Sequence, residues 1–331
     1  MPQTEHDINE VIENFSEKLK ELQGKITMIV GGPPCQGFSI AGQRNENDVR
    51  NTLINSYIEF VDLVKPDMIF FENVKGFTME FRNNEQKGRK YSLIVTEKLK
   101  SIGYNVHGEL INFGDYGIPQ KRTRFILVGI RKNIKNSSNE KAKSFFEKLE
   151  QNKFSFLQQK GLSTNPTIED ALSDLLSTKG LADTPDRKGF KSSFYHKAKT
   201  NYQRFARKGV DDKLLPNSHS LTKHTAEVIE RLKQVQKATN ECKNISEDLK
   251  QRLNIHTQVL VPLKANEQSP TVTSHPDDMI HYCDDAFKKD EEGVPKYIER
   301  DKINSKVSNS ILDILKLKTT KIEVTVEGNT R

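Results

Sequence analysis

The stretch Ile26–Gln43, ITMIVGGPPCQGFSIAGQ, decides the fold of this chain. Its apolar, largely β-branched opening predicts a buried strand, and Gly31-Gly32-Pro33-Pro34 ends that strand abruptly. The two prolines fix φ and remove two N–H donors, so the chain can continue here neither as strand nor as helix. Because open α/β sheets bind ligands at the carboxyl ends of their strands, Cys35 is expected to be held there, partly exposed.

Strand and helix patterns alternate from about residue 8 to residue 131. The strands are expected at 26–30, 68–71, 104–110 and 124–130, and the helices at 8–22, 52–64 and 91–101. This order predicts an α/β fold with a doubly wound, mostly parallel sheet and helices on both faces. From Asn136 onward Lys, Ser, Gln and Asn dominate, and a second, smaller domain is expected.

Composition narrows the class of protein. The chain has 331 residues, a net charge of +7 and a pI near 9.0, a balance for which nucleic acid is the natural polyanionic partner. Its three cysteines include no CxxC pair, which argues against a disulfide framework and against a structural metal site. No apolar run approaches 18 residues and no signal peptide opens the chain, so no membrane partner and a reducing, cytoplasmic location are expected.

A lone cysteine after a strand is most often a small buried hydrophobe, and the motifs further along the chain decide against that interpretation. Glu72-Asn73-Val74 closes the second apolar run. The sequence GDYGIP, from Gly114 to Pro119, leads into Gln120-Lys121-Arg122-Thr123-Arg124 before another apolar run. With PPCQGFS around Cys35, these segments resemble the PPCQGFS, ENV and QxRxR motifs of the cytosine-C5 DNA methyltransferases. They stand in the order and at about the spacing of that family.

The resemblance implies covalent catalysis. Cytosine C5 is a poor nucleophile, and addition of the Cys35 thiolate at C6 would turn the ring into an enamine with a nucleophilic C5. Glu72 is expected to protonate or hydrogen-bond N3. Arg122 and Arg124 alternate with Thr123 on a strand and share one face, where they would hold O2 and the flanking phosphate. The alternatives are an exposed carboxylate at a strand end and a locally paired couple of arginines.

The resemblance also implies S-adenosylmethionine as methyl donor, with Asp7 and Pro33 as contacts, and no metal. Double-stranded DNA is the implied partner, and its target base must leave the stack to reach the pocket. The residues expected to contact substrate or DNA, or to shape the loop around it, are Pro34, Gln36, Ser39, Gln43, Arg44, Asn73 and Gln120.

The chain departs from the family pattern at both ends. The FxGxG-type turn for the cofactor is not found before Asp7, so the Rossmann-like sheet is expected to lack its first strands. The hypothesis is a split enzyme completed by a complementing methyltransferase subunit, and the alternative is a rearranged or degenerate copy. After Tyr282 the family's last motifs are not found either. A final helix is expected near Ile303–Leu315 and a short strand at Lys321–Val326. The expected domains are a partial catalytic domain at 1–131, a target-recognition region at 132–265 and a divergent C-terminal segment at 266–331.

The segment Arg187–Lys208 carries eight Lys or Arg and no Asp or Glu, with five aromatic residues interleaved. Beside the motifs above we expect a DNA-facing surface, in which cations neutralise phosphates and aromatics pack on sugars or bases; the alternative is a solvated basic face. The predicted function is a DNA (cytosine-5-)-methyltransferase, or its catalytic subunit, of a restriction–modification system. The alternatives are a non-catalytic DNA-binding or regulatory subunit that has lost cofactor binding, and an RNA-modifying relative.

Overall fold

The structure is a computed structural model. It describes residues 6–33, 52–80, 82–83, 86–87, 90–175, 181–184, 188–216, 219, 225–239, 242–272 and 279–280. These residues form two compact units. Unit 1 takes its described residues from Met1–Ile111 and Thr123–Gln151, and unit 2 from Asn112–Arg122 and Asn152–Lys316.

Unit 1 contains all the strands and helices predicted between residues 8 and 131, and in addition two short strands and part of a further helix. The strands are β1 (Met28–Gly31), β2 (Met68–Val74), the two-residue β3 (Arg82–Asn83) and β4 (Gln86–Lys87), β5 (Tyr104–Asn112, whose last residue falls in unit 2) and, after β6 of unit 2, β7 (Thr123–Arg131). The helices are α1 (Ile8–Lys20), α2 (Thr52–Val64), α3 (Tyr91–Ser101) and the part of α4 (Asn139–Lys160) up to Gln151.

The central sheet has the strand order β1-β2-β7-β5. β1 pairs with β2 in parallel, Gly31 opposite Phe71, and β2 pairs with β7 in antiparallel, Val74 opposite Arg124. The Lys132 N–H donates to the Gly103 carbonyl, and a Cβ built on Gly129 would lie 3.2 Å from Val106. β5 is therefore antiparallel to β7, so that β1, β2 and β5 run in one direction and β7 runs in the other. The expected α/β class with a mostly parallel sheet is confirmed.

Helices cover both faces of this sheet. On one face α2 presents an apolar stripe at helical spacing, and the rings of Tyr57 and Phe71 lie 5.5 Å apart. On the other face the Phe145 ring of α4 lies 6.0 Å from Phe70. The main core forms on the first face from α2, α3 and the inward residues of the strands, including Val61, Ile69, Phe71, Val95, Leu99 and Leu127. This rigid layer fixes the carboxyl end of β2, where Glu72 lies.

Unit 2 is built from short elements. Its helices are the end of α4, α5 (Ile168–Leu172), α6 (Asn201–Ala206), α7 (Ala226–Ala238) and α8 (Glu247–Arg252). Its strands form three two-stranded ladders: β6 (Gln120–Lys121) with β11 (Ser269–Pro270), β8 (Leu181–Asp183) with β9 (Lys191–Ser193), and β10 (Val261–Pro262) with β12 (Met279–Ile280). Two apolar clusters stabilise this unit, one under α7 and α8 and one around α5.

Candidate active site

The first feature of the site is the parallel pairing of β1 with β2, because it sets the carboxyl ends of both strands at one edge of unit 1. Glu72 lies one residue beyond the last pair of this ladder, Gly31 with Phe71. A Cβ built on Gly32 would lie 3.2 Å from Oε2 of Glu72. The Gly32–Pro33 segment therefore passes directly beside the Glu72 carboxylate, and the chain continues from there towards Cys35.

Glu72 forms an ion pair with Arg124. The Nε of Arg124 lies 2.9 Å from Oε1 of Glu72, with 12% of the arginine side chain and 39% of the glutamate side chain exposed. The register places Arg124 opposite Val74, so Glu72 and Arg124 lie diagonally across the β2–β7 pair. The Nη1 of Arg124 also donates to its neighbour, the Thr123 carbonyl, at 3.0 Å. Because this pair is partly solvated, its contribution to stability is small. The fixed register of β2 and β7 sets its geometry.

Asn73 fixes the loop. Its side chain is 1% exposed, and its amide donates to the Pro33 carbonyl at 3.4 Å while its oxygen accepts from the Val74 N–H at 2.9 Å. A buried amide that bridges two strand ends in this way holds the loop by hydrogen bonds that water cannot replace. The role of Asn73 in shaping the loop around a substrate stays a prediction.

The GDYGIPQK turn belongs to unit 2. It begins with a 3-10 turn at Phe113–Tyr116, where Asn112 accepts from the Gly114 N–H, and Gly117 then takes a φ of +80°, which favours glycine. β6 follows and pairs in parallel with β11, Gln120 opposite Ser269. The Gln120 side chain is fully buried, and neither atom of its amide has a partner among the described residues.

The structure brings some predicted site residues together and leaves others untested. In unit 1 it brings together Glu72, Asn73, Pro33 and Arg124. Gln120 and Arg122 lie on the turn in unit 2. Asp7 is exposed at the start of α1, where Oδ1 accepts from the Asn9 N–H at 2.7 Å and caps the helix. Six predicted residues lie outside the described part of the chain: Pro34, Cys35, Gln36, Ser39, Gln43 and Arg44.

The basic stretch is partly structural. Arg207 is buried: its Nη1 donates to Asp174 at 3.0 Å and to the His196 carbonyl at 2.6 Å, and its guanidinium stacks on Tyr195 at 4.3 Å from the ring centre. Tyr195 is only 3% exposed. The prediction that the aromatics of this stretch face DNA is therefore wrong for Tyr195, whose ring supports a buried ion pair instead. The exposed cations of the stretch within the described residues are Lys188, Lys197, Lys199, Arg204 and Lys208.

Sequence reasoning missed Gln268. This residue is 5% exposed and its amide donates to the carbonyls of Gly114, at 2.8 Å, and Ile118, at 3.3 Å. It fastens the turn that carries Gln120 and Arg122 from a position more than 140 residues away along the chain. Its only sequence signal is its place immediately before Ser269-Pro270, where a proline marks a break in regular structure.

Two classes of site are not found among the described residues. No three His, Cys, Asp or Glu side chains within that part of the chain come together as metal ligands do, and the prediction that no metal is used stays a prediction. No helix in the described ranges is both long and apolar enough to cross a membrane.

The chain matches the model of the C-5 cytosine-specific DNA methylase family over residues 2–301, and it belongs to that family. Among curated relatives it is 38% identical over 130 residues to Type II methyltransferase M.XorII of Xanthomonas oryzae pv. oryzae, covering 38% of this chain and 29% of that protein. It is 37% identical over 114 residues to Type II methyltransferase M.DdeI of Desulfomicrobium norvegicum, covering 34% and 26% of the two chains.

Among solved structures, a putative DNA modification methyltransferase encoded within an E. coli prophage is similar at 22% identity and a TM-score of 0.41, covering 80% of this chain and 68% of that one. The segments shared with the two curated relatives span less than a third of those proteins. Family membership is thus established for the chain, and the activity, substrate and partners of the whole protein are the subject of the proposal below.

Proposed function

We propose that this chain is a DNA cytosine-C5 methyltransferase, or the catalytic chain of one, and that it serves a restriction–modification system. The observation that carries the proposal is the Glu72–Arg124 ion pair beside the Gly32–Pro33 segment that leads to Cys35. The carboxyl group and the guanidinium match two needs of this reaction, an acid at N3 and a donor at O2, and we assign the third, a nucleophile at C6, to Cys35, two residues after Pro33 in the sequence.

In the first step the Cys35 thiolate attacks C6 of the target cytosine. A sulfur–carbon bond forms, the C5=C6 π electrons move towards C5 and N3, and Glu72 hydrogen-bonds or protonates N3. S-adenosylmethionine, when bound, supplies an electrophilic methyl group for C5. Loss of the C5 proton to a base then allows the sulfur–carbon bond to break, which restores the aromatic ring and the thiolate.

Arg124 would take part by changing partner. In the free chain its Nε bonds to Glu72, and a protonated Glu72 carboxyl, which carries no charge, would offer that guanidinium only a weaker, neutral hydrogen bond. The guanidinium then turns to O2 of the base, where it stabilises the charge that develops in the ring. Arg122 is assigned the flanking phosphate, because a guanidinium matches the geometry of two phosphate oxygens.

The described residues assigned to S-adenosylmethionine are Asp7 and Pro33. Asp7 fits an adenine amine because its carboxylate is an exposed hydrogen-bond acceptor, already oriented by the helix cap. Pro33 is half-buried at the end of β1, and its carbonyl is held by Asn73, which fits a rigid wall rather than a donor. These two residues would bind and orient the methyl donor, and take no part in proton transfer.

The test is methyl transfer from radiolabelled S-adenosylmethionine to duplex DNA of mixed sequence, followed by digestion and identification of the methylated base. The proposal expects 5-methylcytosine, and label in any other base, or in RNA only, contradicts it. The complementing subunit expected from the sequence stays a prediction: full activity of the purified chain alone would refute it. Calorimetry with S-adenosylmethionine distinguishes the non-catalytic alternative, which predicts no binding even beside a complementing chain.

A further inference from the structure

The turn at Asn112–Arg122 carries two residues of the QxRxR motif, Gln120 and Arg122, and bonds both to itself and to a segment distant in sequence. Within the turn, Phe113 N–H donates to the Arg122 carbonyl, Gln120 N–H to the Ile118 carbonyl and Arg122 N–H to the Gln120 carbonyl. The buried Gly114 carbonyl and the second lone pair of the Ile118 carbonyl take partners from elsewhere in unit 2.

Gln268 supplies those partners. Its Nε2 donates to both carbonyls, while the Ser269 N–H donates to the Pro119 carbonyl and the Thr271 hydroxyl to the Lys121 carbonyl at 3.1 Å. Three residues of one segment thus bond to four carbonyls of the turn. Gln268 is the member whose side chain reaches deepest, and it links the beginning of the turn to its end.

Gly114 makes room for that amide. A Cβ at this position would lie 2.4 Å from Oε1 and 3.1 Å from Cδ of Gln268, and 3.1 Å from the Gln120 carbonyl oxygen. The φ of Gly114 is not among the positive values of the chain, so the glycine is required by the close approach and not by its backbone conformation. The absence of a side chain at Gly114 is therefore needed for the Gln268 amide to take its position.

The buried side-chain amide of Gln120 indicates why the conformation of the turn matters. Its amide is buried, and in the described part of the chain it has neither a donor nor an acceptor partner. A buried amide that lacks partners is unfavourable, so the Gln120 amide is available to a partner that arrives in another state of the molecule. An amide can serve such a partner only if the surrounding turn keeps it at a fixed depth and orientation.

We propose that Gln268 is a positioning residue: its amide fixes the Gly114–Ile118 turn so that Gln120 and Arg122 are presented in the geometry the DNA-bound complex requires. This inference rests on the proposed function for its catalytic consequence. Its local part, the fastening of the turn, stands on the hydrogen bonds alone and is measured separately.

The test begins with Gln268→Met, which keeps the length of the side chain and removes the donor. Hydrogen–deuterium exchange of the amides at 113–122 should accelerate about tenfold, with exchange in β7 unchanged. The matched control is Gln251→Met on an exposed position of α8, which should leave both regions unchanged. Equal protection of 113–122 in wild type and Gln268→Met would overturn the fastening, whether or not the chain methylates DNA.

The catalytic part is read from steady-state kinetics on folded protein. Gln268→Met should lower kcat about tenfold or more, with the Kd for DNA changed less than about twofold. A merely structural role predicts a lower thermal midpoint and an unchanged kcat per folded molecule, and that result would overturn positioning. If wild-type protein transfers no methyl group either alone or beside a complementing chain, the proposed function fails, and the exchange experiment still decides the fastening.

Two further variants test the donor role of residue 268 and its contact with Gly114. Gln268→Glu should be impaired when its carboxylate is ionised, and protection of 113–122 should recover as the pH falls, because a protonated carboxyl can donate to one of the two carbonyls. Gly114→Ala should accelerate exchange in the same region, and its effect should shrink in the Gln268→Met background, as expected for two residues in direct contact. Additive effects of the two substitutions would contradict the pairing.

Discussion

At the scale of single residues, the account depends on Glu72. Its side chain lies between the Arg124 guanidinium and the Gly32–Pro33 segment, and a carboxyl group can pass a proton to N3 whereas an amide cannot. We expect Glu72→Gln to lower kcat by roughly 10²- to 10⁴-fold, the range typical of a lost general acid, while DNA affinity and the urea midpoint change little.

The control for this variant is Glu109→Gln, which neutralises a half-exposed carboxylate of β5 paired with His107 at 2.9 Å. It should leave the methyl-transfer rate within about twofold of wild type. Equal rates for Glu72→Gln and wild type would remove Glu72 from the reaction.

A second prediction at this scale concerns Cys242. Burial raises the pKa of its thiol, and the Lys264 N–H that donates to the sulfur at 3.2 Å opposes this effect only in part. A raised pKa leaves less thiolate at pH 7 to 8, so alkylation must be slow. Iodoacetamide followed by peptide mass spectrometry should modify Cys35 well before Cys242 in native protein, and the order should disappear in urea. Faster labelling of Cys242 would contradict this assignment.

At the scale of elements, β1 packs so closely against its neighbours that it leaves little room for side chains at its glycines. A Cβ built on Gly31 would lie 2.2 Å from the Tyr57 ring, inside the core between α2 and the sheet, whereas one on Gly32 would lie 3.2 Å from Oε2 and 3.7 Å from the backbone oxygen of Glu72. Gly31→Ala should therefore destabilise unit 1 by about 1–3 kcal/mol, as overpacking of a core does.

Gly32→Ala is the natural companion variant. It should leave the urea midpoint nearly unchanged and lower the methyl-transfer rate, because the displaced atom is a reacting carboxylate oxygen and not a core ring. Unfolding curves for the two variants check the pair. A larger loss of stability for Gly32→Ala than for Gly31→Ala would contradict the placement of β1 against α2.

Sequence patterns were sufficient for the main elements of unit 1. The predicted helix at 52–64 is α2 to the residue, and the strand at 68–71 extends to Val74. The helix α4 was missed, although Ala142, Phe146 and Leu149 are buried at helical spacing, because lysine and glutamine conceal that stripe. The ladder of β6 with β11 was beyond prediction, since strands of two residues carry no periodicity.

The candidate site was predictable for a different reason. Glu72, Asn73 and Arg124, which lie together in the structure, could be selected from the sequence because they belong to motifs that resemble a known family. Hydrophobic periodicity alone would have left Glu72 an ordinary residue at a strand end. Gln268 had no motif to mark it, and a contact between positions 268 and 114 depends on tertiary folding that no local pattern encodes. The predicted domain boundaries at 131 and 265 stay predictions.

At the scale of the whole molecule, the net charge of +7 favours binding to DNA, and its dependence on salt should identify which cations take part. Lys197, Lys199 and Lys208 are exposed in the basic stretch of unit 2, unlike the buried Arg207. Each Lys→Ala substitution there should reduce the slope of log K against log salt by about 0.9 if that lysine neutralises one phosphate.

The control is Lys100→Ala, at an exposed position in the last turn of α3. Because α3 leads into the start of β5, this lysine lies at the edge of the sheet opposite to Glu72, and its removal should leave the slope unchanged. Fluorescence anisotropy over a range of salt concentrations measures both. Unchanged slopes for all three lysine variants would exclude this face from the DNA interface.

The central claim is that the Cys35 sulfur bonds to C6 of a cytosine, and covalent trapping tests it most directly. Fluorine at C5 blocks the elimination that would release the enzyme, so duplex DNA containing 5-fluorocytosine should accumulate an adduct in the presence of S-adenosylmethionine. Peptide mass spectrometry should locate that adduct on Cys35, and Cys35→Ser should bind DNA with the same salt dependence yet form none. An adduct on another residue, or one formed equally by Cys35→Ser, would contradict the account.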